Sequence, residues 1–251
     1  MNAHAGTVAI VTGAGSGIGR ATVELLIEHG ASVVGVDLEP SALADHDRVE
    51  WVTGDVSKDD TNLAAVERAV DHFGGLDSMV LNAGLSRRGS ITELAMDDFD
   101  RVMAVVVRAT GLGIRAGVPA MVERGGGAIV ATASTSGLGG DSGMWAYNTA
   151  KAGVINLVRS ASLDLGAQDI RVNAVAPGPT ETAMTTRIQS SPEFYDELRR
   201  RMALQRWGQP AEIAAAIGFL LSPAASFVTG VVLPVDGGMS ANSGQFYPAG
   251  A

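Results

Sequence analysis

The run Thr7-Val8-Ala9-Ile10-Val11 passes without a linker into Thr12-Gly13-Ala14-Gly15-Ser16-Gly17-Ile18-Gly19, and this junction decides the fold. An apolar segment of strand length is followed by four glycines and then by residues 18–29, whose apolar spacing is that of an amphipathic helix. Glycines at such a turn permit a tight reversal. They also let backbone N–H groups at the positive end of a helix approach a pyrophosphate with no side chain in the way. A glycine pattern on its own describes any tight turn. A strand before it and a helix after it make it a phosphate cradle.

Working outward, further strand-length apolar runs occur at residues 32–37, 77–81, 128–133, 170–175 and 231–234. Helix-patterned stretches at 61–73, 97–122, 146–165 and 211–221 separate most of them. Strands joined through helices pair in parallel, so the pattern predicts an α/β protein of one domain. It is a doubly wound Rossmann fold with a parallel sheet of about seven strands and helices on both faces. No internal repeat, low-complexity tract or long linker divides residues 1–251, which are read as a single unit. The polar stretch 185–201 carries Ser190-Ser191-Pro192 and ends on Arg199-Arg200-Arg201, breaking the strand–helix rhythm. It predicts an insertion near 183–206 that covers an active-site mouth.

Composition narrows the partners. Eighteen Lys and Arg face 27 Asp and Glu, a net charge of −9, so the overall field repels nucleic-acid backbones and anionic membranes. The chain contains no cysteine, which excludes disulfides, thiolate catalysis and cysteine-ligated metal. No metal site is expected, and a reducing, cytoplasmic setting is compatible. The N-terminal residues carry no basic region followed by a long apolar run, and no apolar run of membrane-spanning length is read, so a soluble protein is expected.

Asp37 ends the strand Val33-Val34-Gly35-Val36-Asp37, where a carboxylate can accept hydrogen bonds from both ribose hydroxyls of an adenosine. The same charge repels a 2′-phosphate, and neither Ser16 nor Leu38 supplies the cation that would bind one. NAD is therefore expected rather than NADP. Asp55-Val56 and Asn82-Ala83-Gly84 fall where further cofactor contacts would lie, although each alone also reads as an ordinary turn.

The chemistry is expected from Tyr147-Asn148-Thr149-Ala150-Lys151. Tyr and Lys four positions apart share one helix face, so an ammonium can lower the pKa of a phenol and make it an acid/base. Ser134 follows a strand, at the sheet end where α/β proteins bind ligands. It offers a hydroxyl, although Ser134, Thr135 and Ser136 also suit a solvated turn.

These elements, together with Asn173-Ala174-Val175-Ala176-Pro177-Gly178 and Val235-Asp236-Gly237-Gly238, resemble the classical short-chain dehydrogenase/reductase family in composition and order, from Val8 to Gly238. The resemblance implies an NAD-dependent oxidoreductase that transfers a hydride between nicotinamide and a secondary alcohol or ketone. It implies that Tyr147 exchanges the proton, that Ser134 hydrogen-bonds the same substrate oxygen, and that Lys151 binds the nicotinamide ribose. Gly13, Ser16, Gly17, Ile18, Gly19, Asp37, Asp55, Val56, Asn82, Ala83 and Gly84 would contact NAD, with Pro177 and Gly178 against the nicotinamide ring and Thr182 near its carboxamide. The family layout puts Ser136, Leu138, Met144, Trp145, Leu85 and Met184 around the reacting carbon, with Arg87 and Arg88 within reach of a substrate anion. A homotetramer built on the helices at 97–122 and 146–165 is also implied.

One position departs from the pattern. Met103-Ala104-Val105-Val106-Val107-Arg108 puts Val106 where similar proteins carry Asn, and no Asn occurs between Asn82 and Asn148. In the family that Asn holds a water linking the lysine to solvent. A backbone carbonyl near Val106 can hold the same water. Two other readings stay open: a catalytically impaired or non-catalytic NAD-binding homologue, motivated by Val106, and an NADP-dependent 3-oxoacyl reductase, against which Asp37 argues.

Overall fold

The computed structural model describes residues 3–241, so the outermost positions of the expected 1–251 unit lie outside the described residues. Seven strands form one sheet in the order β3-β2-β1-β4-β5-β6-β7, every pairing parallel. They are β1 (Val8–Thr12), β2 (Ser32–Asp37), β3 (Val49–Thr53), β4 (Ser78–Leu81), β5 (Gly127–Thr132), β6 (Ile170–Pro177) and β7 (Val232–Val235). The strands are near-continuous apolar runs because both faces are covered. Along β1, Val8 and Ile10 face one core with Val102, Met121 and Val154, while Ala9 and Val11 face the other with Val23, Leu26 and Ile217.

Helices α1 (Gly17–Glu28) and α8 (Pro210–Leu221) cover the second of these faces. Helices α2 (Asp59–Phe73), α3 (Met96–Met103), α4 (Ala109–Glu123) and α5 (Trp145–Leu165) cover the first. This is the single-domain, doubly wound arrangement that the alternation predicts. β3 is absent from the apolar runs because it is an edge strand whose Glu50 faces α2, 2.9 Å from Arg68 and 3.2 Å from His72.

Between α3 and α4 the residues Ala104–Arg108 form a π-helical turn, in which the Ala109 N–H reaches back to the Ala104 carbonyl. The continuous helix Met96–Glu123 is long and apolar enough to cross a membrane, which corrects the expectation that no such stretch exists. Its apolarity is spread over many Ala, Gly and Val positions, so no dense apolar run marks it in the sequence. Val102, Val106 and Met121 are spent on the protein's own core.

The insertion is helical: α6 (Thr186–Gln189) and α7 (Pro192–Arg200) follow a short 3₁₀ turn. It is anchored by Tyr195, whose ring stacks on the buried Trp207 at 4.6 Å and whose hydroxyl donates to Glu181 Oε1 at 2.8 Å.

Candidate active site

The expected site residues gather where the strands end. The glycine turn hangs from β2, with the Gly13 and Ala14 N–H groups donating to the Val36 carbonyl at 2.8 and 3.2 Å. Gly13 and Gly17 take left-handed backbone (φ 65° and 51°), which a side chain would strain. Gly19 is needed for space: a Cβ there would sit 1.9 Å from the Gly13 carbonyl oxygen and 2.7 Å from Asn82 Nδ2. Ser16 is the N-cap of α1 but makes no side-chain cap bond, and no acidic residue occupies the first helical turn. The positive helix end is therefore not neutralised from within, which suits it to a bound anion. Ile18 packs sideways against the core and orients that turn.

Asp37 sits against the same loop. Its Oδ2 accepts from the Gly15 N–H at 2.8 Å and its Oδ1 from the Leu38 N–H at 2.7 Å. Among the described residues no cation pairs with it. Asp55 accepts from the Ser57 N–H at 2.9 Å, and this backbone hydrogen bond is the main reason its carboxyl lies below the usual range. Val56 is buried beside it.

The Asn82 side chain is engaged within the protein. Its Nδ2 donates to the Thr12 carbonyl at 3.1 Å, and its Oδ1 accepts from Thr132 Oγ1 at 3.1 Å. The Asn82 and Ala83 N–H groups both donate to Thr12 Oγ1, at 2.9 and 3.1 Å. The side chain thus ties together the ends of β1, β4 and β5. Gly84 comes next, and a Cβ there would lie 3.8 Å from Lys151 Nζ.

Lys151 is 3% exposed, and its Nζ donates to the Thr132 carbonyl at 2.5 Å. Burial pushes its pKa down to about 8. Its ammonium stands 5.6 Å from the centre of the Tyr147 ring, one helical turn away on α5. Burial pushes the Tyr147 phenol up to about 12, the Asp141 charge adds to the rise, and a hydrogen bond with Ser134 opposes it. The lowering of this pKa anticipated from the i, i+4 spacing is not seen in the protein alone. The ammonium lies over the ring with a proton committed to Thr132. Ser134 itself is 9% exposed and accepts from the Ser136 N–H at 3.2 Å.

Pro177 and Gly178 close the wall on the β6 side. The Pro177 carbonyl accepts from Thr135 Oγ1 at 3.3 Å, and Gly178 is packed so tightly that a Cβ would meet the Asp236 backbone at 2.8 Å. Thr182 crosses to the far wall: a Cβ on Gly17 would lie 3.2 Å from its methyl carbon, Cγ2. The start of the insertion therefore overhangs the N-terminus of α1.

Of the residues expected near a reacting carbon, Leu138 and Met184 are exposed, whereas Leu85 and Trp145 pack against the core, Trp145 stacked on Phe99 at 4.9 Å. Arg87 is held by Asp98 at 3.1 Å and by the Ser86 carbonyl at 3.1 Å, and Arg88 is exposed. Asp141, which the sequence reading passed over, belongs to this group. Ser136 Oγ donates to its Oδ2 at 2.5 Å and Asn148 Nδ2 to its backbone carbonyl at 3.0 Å. Its position inside the glycine-rich loop between Ser134 and Tyr147 was the available signal.

Val106 is 1% exposed within the π-turn, and its carbonyl accepts from Thr110 Oγ1 at 2.8 Å. The Val106 carbonyl, one backbone acceptor that could stand in for the missing carboxamide, thus already has a protein partner.

A family model described as enoyl-(acyl carrier protein) reductase matches residues 13–240. The cis-4-hydroxycyclohexanecarboxylate dehydrogenase of Sinomonas cyclohexanicum is 41% identical over 247 residues, covering 95% of this chain and 98% of that protein. The chain belongs to the short-chain dehydrogenase/reductase family. The 2-(R)-hydroxypropyl-CoM dehydrogenase of Xanthobacter autotrophicus, similar over 93% of this chain and 98% of its own length, is 37% identical. Among solved structures, levodione reductase superposes with a TM-score of 0.89 at 33% identity, covering 94% of this chain and 98% of that one. This short-chain dehydrogenase/reductase is accordingly an oxidoreductase of the dehydrogenase/reductase type.

Proposed function

We propose that the protein is an NAD-dependent dehydrogenase that interconverts a secondary alcohol and its ketone. The observation that carries this reading is the cluster of Ser134, Tyr147 and Lys151 at the end of β5 and the start of α5, at the same strand-end edge of the sheet as the uncapped N-terminus of α1. The residues present fit a dinucleotide. Gly13, Ser16, Gly17, Ile18 and Gly19 would cradle the pyrophosphate, and Asp37 the adenosine ribose. Asp55, Val56, Asn82, Ala83 and Gly84 would flank the adenine and central strand. Pro177, Gly178 and Thr182 would face the nicotinamide. NAD, when bound, supplies the hydride acceptor.

At neutral pH the Tyr147 phenol, held up at about 12, keeps its proton and is ready to deliver it to a carbonyl oxygen. Ser134 fixes that oxygen by a hydrogen bond, and Lys151 places a positive charge beneath the ring. The insertion at α6 and α7 excludes water from the mouth. Cytoplasmic residence suits the cysteine-free chain, and assembly as a homotetramer through α3–α4 and α5 suits the family. An NADP-dependent 3-oxoacyl reductase is disfavoured by Asp37. A purely cofactor-binding role is disfavoured by the complete Ser134–Tyr147–Lys151 set. Nicotinamide absorbance followed with a panel of secondary alcohols tests the reading, and a panel that leaves it unchanged rejects it.

Asp37 predicts the cofactor. Its oxygens are held by Gly15 and Leu38 with no cation beside them, so a 2′-phosphate would meet an uncompensated negative charge. Affinity for NADH should exceed that for NADPH by about tenfold or more, on the order of 1.4 kcal/mol. Fluorescence titration with both cofactors measures this, and equal dissociation constants reject the assignment.

Val106 predicts a slowed proton path. Val106→Asn should raise the turnover number several-fold, corresponding to about 1 kcal/mol for one restored hydrogen bond, with little change in NAD affinity. The site is buried, and an unsatisfied amide there costs about 1–3 kcal/mol, so thermal unfolding is measured on the same preparation. A folded, equally stable variant that is no faster across a range of pH shows that another group already serves the relay.

A further inference from the structure

The loop that carries Ser134 to Tyr147 holds a carboxylate for which proton exchange alone has no use. Asp141 is exposed, yet it is fixed: Oδ2 accepts from Ser136 Oγ at 2.5 Å, and its backbone carbonyl accepts from Asn148 Nδ2 at 3.0 Å, one residue beyond Tyr147. The Ser136 N–H donates in turn to Ser134 Oγ at 3.2 Å. The carboxylate thus stands two linked residues from the hydroxyl expected to hold the reacting oxygen. Its charge reaches Tyr147, where it adds to the raised pKa. Among the described residues Asp141 forms no ion pair, and its Oδ1 has no hydrogen-bond donor. The facing loop is tied to this one by the Gly89 N–H, which donates to the Gly143 carbonyl at 3.0 Å, but its Arg87 is turned to Asp98. Among the described residues no cation pairs with the charge.

A carboxylate with one open oxygen beside the reacting group accepts a hydrogen bond from a substrate hydroxyl and repels a substrate anion. We propose that Asp141 is a specificity-determining residue that accepts a hydrogen bond from a second hydroxyl close to the reacting carbinol, so that the substrates are neutral diols and hydroxyketones rather than hydroxy acids. The proposal rests on the alcohol-dehydrogenase reading above and refines its substrate class. The backbone anchors of the loop do not involve the Asp141 side chain, so its replacement leaves them in place.

Three matched alcohols test it: butane-2,3-diol, butan-2-ol and 3-hydroxybutanoate. With the natural chain, kcat/KM for the diol should exceed that for butan-2-ol by tenfold or more, with 3-hydroxybutanoate the poorest. Asp141→Ala removes the acceptor and should erase the diol preference, mainly through KM. Asp141→Asn removes the charge alone and should raise kcat/KM for 3-hydroxybutanoate about tenfold relative to butan-2-ol. A merely structural role would scale all three substrates together, and that result overturns the proposal, as does a natural chain that prefers the hydroxy acid. Binding of the same alcohols to the enzyme–NADH complex, read by nicotinamide fluorescence, separates the two levels of the argument. If no alcohol is oxidised, the dehydrogenase reading fails. Diol binding that is tenfold weaker in Asp141→Ala, with butan-2-ol binding less affected, still upholds Asp141, and equal weakening of both overturns it.

Discussion

Tyr147→Phe should reduce the rate of hydride transfer by about 10²–10⁴-fold while NADH binds as before, the usual size of a general acid–base contribution. The substitution keeps the ring, and therefore the cation–π contact of Lys151 over it at 5.6 Å and the packing of the first turns of α5. It removes only the hydroxyl and its hydrogen bond with Ser134. Any loss is then chemical. Single-turnover absorbance measures the transfer and fluorescence titration the binding. If turnover survives within tenfold, the proton is carried by another group and the assignment of Tyr147 fails. The direction of its pKa adds a second signature. Burial and the Asp141 charge keep the phenol protonated well past neutrality, so carbonyl reduction should hold steady through neutral pH. Alcohol oxidation, which needs the phenolate, should climb as pH rises toward 12.

Gly19→Ala should abolish usable cofactor affinity, weakening NADH by about a hundredfold or more. The argument is steric. The new methyl carbon would sit 1.9 Å from the Gly13 carbonyl oxygen and 2.7 Å from Asn82 Nδ2, and the first of these is backbone. Either the turn moves, taking Gly13 and the N-terminus of α1 away from their positions, or the end of β4 moves. Overpacking of this kind costs about 1–3 kcal/mol, so the thermal unfolding midpoint should fall as well. Gly74, where a Cβ meets nothing within 4 Å but φ is 80°, gives a useful contrast. Gly74→Ala should destabilise through backbone strain alone and leave NADH affinity intact. An unaltered dissociation constant in Gly19→Ala would mean that the turn does not form the pyrophosphate site.

Much of this was legible because the governing physics is local. The strand, four glycines and helix from Val8 to Glu28 are specified by periodicity and by the steric demands of one turn, and the structure forms them within a residue of where the pattern puts them. β3 escaped the apolar reading because, as an edge strand, it carries polar Glu50 and Thr53 among its apolar residues. Glu50 is half-buried against α2, Thr53 is exposed, and Val49 alone is fully buried. The helices of the insertion were equally hidden, since α7 is held by a stack between Tyr195 and Trp207, twelve residues apart, rather than by a local apolar pattern. Asn82 reads in sequence as a ligand or a turn, and only the meeting of β1, β4 and β5 shows where its amide is spent. Asp141 is the sharpest case. Its meaning depends on a loop that folds back far enough for Ser136 to reach it, and no spacing rule encodes that return.

The strand order has a consequence for how the protein comes into being. No two neighbouring strands are joined by a hairpin. The nearest partners in sequence, such as Val33 and Val49, are separated by the Ala42–Asp45 turn, and Ala9 meets Ser78 only after β2, β3 and α2 have been placed. Chains whose contacts are this distant fold slowly, because closure entropy is spent before the pairing rewards it. The cradle inherits that delay. Thr12, at the end of the first strand, is completed only by the N–H groups of Asn82 and Ala83. Nascent chain that already displays all four glycines therefore remains incompetent for nucleotide until the middle of the sheet has closed, and affinity arrives with the global fold.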